Sequence, residues 1–202
     1  MKISTENVDL DTLSFDLQSN MYFGYPEKTL SILYSTAKKA YTYLRYLDII
    51  LSIESKYIKD SFVPIVLSLQ ESFYINLFKL IDTGKSSKTY NMQTFISYLD
   101  EQTTQKPLHF WNSLYSSYMN SDLLKSIRLR RNKVFAHNLG EDAQAVFNTS
   151  RVDLIQLKEF LIFCIKLTCP NYTILPAVVT TDITNIGSFE RLVNNLIKEV
   201  AL

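Results

Sequence analysis

Apolar side chains recur along this chain at the spacing of α-helices. From Glu27 to about Lys59, the residues Leu30, Leu33, Tyr34, Ala37, Tyr41, Leu44, Leu47 and Leu51 fall on one broad stripe. Lys38, Lys39, Arg45 and Lys56 interrupt it, which is the pattern of a long amphipathic helix. A second helix is expected to open near Ser61, because Pro64 suits a first turn, where its missing N–H costs nothing. Its stripe, Ile65, Leu69, Phe73, Leu77 and Leu80, runs to Asp82-Thr83-Gly84, with Gly84 as C-terminal cap. Lys85 to Thr89 reads as a polar loop.

Asn91 to Glu101 carries Met92, Phe95, Ile96 and Leu99 on one face and predicts a shorter helix. Another follows Pro107, with Leu108, Trp111, Leu114, Tyr115 and Tyr118 apolar. Ser121 and Asp122 are both good capping types, and a helix from there would stop before Asn138-Leu139-Gly140. Ser150 or Asp153 then opens a strongly apolar helix that Pro170 closes. Thr173 to Thr184 holds the β-branched run Val178 to Thr181 and reads as extended, after which Ser188 caps a last helix through Lys198. The expected fold is an all-α bundle of long antiparallel helices with a short irregular C-terminal extension. Its divisions are a polar N-terminal segment (1–26), the bundle (27–170) and the extension (171–202).

Composition narrows the function. Glycine is scarce, 4 of 202 residues. Few tight turns or phosphate-cradling loops can therefore form, which disfavours β-sandwiches and dinucleotide folds. With 21 basic and 20 acidic residues the net charge is +1, so any attraction to nucleic acid must come from a local patch. No apolar stretch follows a basic start, and the longest apolar run, Phe160 to Ile165, is far short of the ~20 residues of a membrane span. No secretory signal, no membrane association and a cytoplasmic location are expected. Cys164 and Cys169 match no metal-site spacing and read as reduced core thiols. No metal and no cofactor is expected. Gly84-Lys85-Ser86 imitates the end of a P-loop, but Lys79 stands where the earlier glycine should be.

Two histidines are available. His109, among aromatics at a helix start, reads as a packing or capping residue. His137 ends a basic segment in which Lys125, Arg128, Arg130, Arg131 and Lys133 face the single acid Asp122, a local charge of +4. Arg128, Arg130 and Lys133 are candidate RNA-binding residues. On a helix, Arg131 and His137 would be ~9 Å and ~120° apart, and Arg130 and His137 nearly on one face. Either arginine could share a phosphate with the imidazole. An imidazole, with an ordinary pKa of ~6.5, can take and give a proton near neutrality. RNA brings its own nucleophile, the 2′-hydroxyl. Proton transfer by His137 and phosphoryl stabilisation by Arg would leave 2′,3′-cyclic phosphate and 5′-hydroxyl ends. Tyr115, Tyr118 and Phe135 lie close enough in sequence to stack bases, although core packing is the commoner use of such residues.

The run Arg131-Asn132-Lys133-Val134-Phe135-Ala136-His137 resembles the signature of the HEPN superfamily: an Arg, a polar residue, variable positions, then His. Leu67-Ser68-Leu69-Gln70, Leu77-Phe78-Lys79-Leu80-Ile81-Asp82 and the Lys/Ser loop after them are similar to its abortive-infection AbiU-like branch. The resemblance spans roughly Glu27 to Lys166. It implies a helical bundle that forms a homodimer with facing motifs, metal-independent endoribonuclease activity on RNA, and a role as toxin or antiphage effector, in some branches with an antitoxin protein. Carried over, Arg131 stabilises the phosphate, Asn132 shapes the site and His137 is the acid/base. Branches regulated by a nucleotidyltransferase antitoxin carry Tyr two positions after the His; Leu139 stands there. The alternative is a non-catalytic helical module that binds RNA or a protein, with the arginines as an electrostatic grip.

Overall fold

The computed structural model describes residues 24–53, 60–82, 91–102, 109–122, 124–125, 127, 151–169, 186–195 and 198. Five helices of ten or more residues appear in it: α1 (Glu27–Leu51), α2 (Val63–Ile81), α3 (Met92–Gln102), α4 (Phe110–Met119) and α5 (Arg151–Thr168). Short helical stretches lie around 122–127 and over 186–195, and the described residues include no strand. The protein is all-α, as its periodicity predicts.

Helix α1 is the hub. It packs against α2 on one side and α5 on another, and from Tyr41 to Leu51 none of its residues is exposed. Ala37 and Ala40, fully buried, let a neighbouring helix approach closely between Leu33 and Leu44. The carbonyl of Pro26 accepts the N–H groups of Thr29 and Leu30 at 2.9 and 3.1 Å, which fixes the start of α1. Ahead of it Gly24 has φ of 92°, a left-handed conformation that glycine adopts without strain. This turn lays the Tyr25 ring 4.9 Å from both Phe95 and Tyr98 of α3. At the far end α1 stops at Leu51 rather than near Lys59. Ser52 caps it, with its N–H on the Asp48 carbonyl at 3.0 Å and its hydroxyl on that of Ile49 at 2.7 Å. A serine that bonds the preceding turn competes with helix propagation.

Helix α2 has proline in its first turn as expected. Its inward register differs from the expected stripe at the start: Ile65 is exposed and Leu69 only partly buried, while Val66 and Gln70 face in. Ile65 and Val66 are both apolar and Gln70 is an inward polar residue, so periodicity favours the Ile65–Leu69 register, and packing against α1 overrides it. From Phe73 onward the expected positions are buried. Gly84 lies outside the described residues.

Helices α3 and α4 pack on each other. Met92, Phe95, Ile96 and Leu99 are fully buried, as are Trp111 and very nearly Tyr115. Asn91 begins α3: its Oδ1 accepts the Thr94 N–H at 2.9 Å, and its Nδ2 donates to the Asp82 carbonyl at 2.9 Å. One side chain thus caps α3 and ties it to the end of α2.

Helix α5 seals the core with Leu157, Phe160, Leu161, Phe163, Cys164 and Leu167. Lys158 is ion-paired and hydrogen-bonded to Asp48 of α1, with Arg45 3.9 Å from the same carboxylate. The C-terminal helical stretch is part of the same core. Ile186 and Val193 are buried, and the Phe189 ring lies 4.5 Å from Tyr46 of α1. Ser188 falls inside this helix instead of ahead of it, because the packing begins at Ile186. The expected extended segment, Thr173 to Thr184, lies outside the described residues.

Candidate functional site

Arg128, Arg130, Arg131, Asn132, Lys133 and His137 lie outside the described residues. The structure describes the scaffold that leads to them. Helix α4 ends at Met119, and Ser121 then starts a new helix: its hydroxyl accepts the Leu124 N–H at 3.3 Å and its carbonyl the Lys125 N–H at 3.1 Å. Of the two capping candidates, Ser121 is the one used. Asp122 is exposed and sits 3.9 Å from Lys125, a surface ion pair of little energetic weight. Leu124 and Ile127 are buried, so the stretch running into the basic segment is anchored in the core.

The last turn of α4 is also fixed. Tyr118 lies between Phe160 and Phe163 of α5, with ring centroids 5.5 and 5.3 Å away, and Tyr115 is 6.2 Å from Phe160. Both tyrosines serve the α4–α5 contact, and Tyr115 is too deeply buried to stack a base. Burial pushes the Tyr118 phenol above its ordinary value, and the nearby Glu159 carboxylate and Cys164 add to the rise. At neutral pH it is a proton donor, not a base.

Two other reactive side chains are accounted for. Cys164 and Cys169 are both buried, and burial pushes the Cys164 thiol well up; neither is an available nucleophile. His109 corrects the sequence expectation. Its side chain is exposed and forms no capping bond, and its backbone adopts the left-handed conformation with φ of 59°.

The cap of α4 comes from Asp100 on α3, a residue the sequence did not single out. Its Oδ1 accepts the Trp111 N–H at 2.8 Å and its Oδ2 the Asn112 N–H at 2.9 Å. The Asn112 side chain adds a bond of 2.5 Å to Oδ2 and accepts one from Gln93 at 2.7 Å. An internal carboxylate therefore fills the anion-binding end of α4. Among the described residues no group of three or more His, Cys, Asp or Glu side chains comes together. No helix among them is long and apolar enough to cross a membrane.

The described helices form an all-α bundle, and the serine-capped helix precedes the Arg/His motif in sequence. A family model described as AbiU2, a HEPN family, matches residues 54–168, more than half of the chain. The chain belongs to the AbiU2 family of HEPN domains, whose theme is abortive infection. The match takes in α2 to α5 and the whole of Arg131 to His137, but begins after α1, later than the resemblance taken from Glu27. No curated protein and no solved structure matches the chain.

Proposed function

We propose that this chain is a metal-independent endoribonuclease of HEPN type, acting as a homodimeric toxin or antiphage effector in the cytoplasm. The observation that carries the reading is the family match across residues 54–168, which contains the Arg131, Asn132 and His137 motif. The geometry before the motif supports it. Ser121 caps a helix whose buried positions are Leu124 and Ile127. The family motif makes Arg131 the phosphate-stabilising group and leaves Arg128, Arg130 and Lys133 to grip the RNA backbone.

In the reaction, His137 removes the 2′-hydroxyl proton or delivers one to the 5′-oxygen, and Arg131 stabilises charge on the phosphoryl oxygens. Asn132 shapes the site between them. Atoms balance without a co-reactant: the 2′-oxygen bonds to phosphorus, the 5′-oxygen leaves, and the proton passes from one to the other.

The test is incubation of purified protein with RNA in the presence of EDTA, with end-group analysis. Cleavage to 2′,3′-cyclic phosphate ends, lost in His137→Ala and Arg131→Ala, is the expected result. Salt-dependent RNA binding without turnover in wild type would favour the non-catalytic module instead. Cleavage abolished by EDTA would overturn the metal-free mechanism.

A further inference from the structure

Between Glu27 and Asp48 the chain holds four cations, Lys28, Lys38, Lys39 and Arg45, and no acid, although its net charge as a whole is only +1. The whole stretch lies in α1. Helical geometry puts its cations on one side. At ~100° per residue, Ser31 and Ser35 fall within ~40° of each other, opposite the buried Leu33, Ala37 and Leu44. Lys38 and Arg45 run along one edge of that row and Lys28 and Lys39 along the other, all within an arc of ~120°. Lys28, Ser31, Ser35 and Lys39 are exposed, and Lys38 and Arg45 are half-buried.

The bonding on this face leaves donors for a ligand. Among the described residues Lys28 and Lys39 enter no ion pair. Lys158 and Arg45 share the single negative charge of Asp48, so one positive charge remains at that edge. Thr36 and Thr42 donate their hydroxyl protons to the carbonyls of Ile32 and Lys38, a common habit inside helices. Among the described residues the hydroxyls of Ser31 and Ser35 make no such bond.

The layout selects the kind of ligand. Lys28 and Lys39 are eleven residues, ~16 Å, apart along the helix, so a compact anion cannot reach both, whereas a chain of phosphates can. A membrane surface would need an apolar stripe to bury, and Ile32 is the one large apolar side chain exposed on α1. The family match starts at residue 54, so this face lies outside the matched segment and away in sequence from the Arg/His motif. We propose that the outward face of α1 is a second RNA-binding surface, where Lys28, Lys38, Lys39 and Arg45 hold backbone phosphates and Ser31 and Ser35 donate hydrogen bonds to them. Such contacts position a strand without reading its bases. The inference rests on the reading that the chain acts on RNA, and it needs no cleavage.

Equilibrium binding of a fluorescein-labelled oligouridylate to the full chain tests it, with His137→Ala in every sample so that the RNA stays intact. Lys28→Ala with Lys39→Ala removes two phosphate contacts, and the slope of log affinity against log salt should fall in magnitude by about 1.4. Affinity should drop about ten-fold at 50 mM salt and less than about two-fold at 200 mM, as that slope requires. The pair Lys28→Arg with Lys39→Arg keeps both charges and should bind like the parent. Lys79→Ala with Lys198→Ala removes the same charge from exposed positions off α1 and should leave the slope unchanged. These positions are exposed, so circular dichroism should be the same throughout. A slope unaltered by the alanine pair at 28 and 39, an equal change in the control pair, or no RNA binding by the parent would overturn the proposal. So would loss of binding to phosphatidylserine vesicles with RNA binding intact. Absence of cleavage in the wild type, with the slope change as expected, would sink the nuclease reading and support this surface.

Discussion

The layer of α1, α2 and α5 and the pair of α3 and α4 are held by different means. In the layer, long helices meet through apolar faces, and the polar contribution is small: Lys158 on Asp48, with Arg45 beside it. In the pair, helices of 11 and 10 residues carry a cap each from a specific side chain, Asn91 for α3 and Asp100 for α4. The difference follows from length. A helix shorter than ~12–15 residues is marginal alone, and its first-turn N–H groups are a large share of its backbone donors. Short elements depend on how their ends are satisfied, long ones on their sides.

Substitutions can break or sharpen that contrast. The largest loss is expected for Trp111→Ala, about 3–5 kcal/mol, because this fully buried side chain joins the pair to the core. Leu44→Ala in the layer should cost about 2–5 kcal/mol by the same cavity mechanism; urea unfolding measures both. Asp100→Ala is the sharpest test. It orphans the Trp111 and Asn112 N–H groups and should cost about 2–3 kcal/mol, with faster amide exchange at those two residues. A loss below about 0.5 kcal/mol, the usual scale for surface changes, would mean the pair is held by its apolar faces alone. Asn91→Ala should cost about 1 kcal/mol, visible as earlier fraying of α3.

The smallest effect concerns Tyr118. Its phenol holds its proton more tightly folded than at the ordinary value of 10.0. Its contribution is therefore complete below pH 10 and declines as pH rises through and above that value. Cys164 acts in the same direction. The measurement is accordingly the difference between wild type and Tyr118→Phe, whose stability should fall less steeply above pH 10.

Much of this architecture is legible in the sequence. Amphipathic stripes locate all five helices, and Pro64 and Ser121 mark starts that the structure confirms, each through a local rule about backbone donors. What escapes is what depends on a distant partner. Asp100 caps a helix eleven residues further on, and no local pattern announces such a cap. Asp48 and Lys158 are 110 residues apart. At Ile65 and Val66 two adjacent apolar residues compete for one inward position, and only the neighbouring helix decides. Candidate chemistry is legible in another sense. The order of Arg131, Asn132 and His137, together with the upstream Leu67–Gln70 and Leu77–Asp82 blocks, points to the family that the match over 54–168 shows, because residue type and spacing carry that information without any fold.

The helix over 186–195 has a practical corollary. Trimming an expression fragment to the matched boundaries, 54–168, would discard both the central pillar and the cover over Tyr46. What remained would present raw apolar surface to solvent and precipitate readily, so an inert preparation of that length would say nothing about the intact protein.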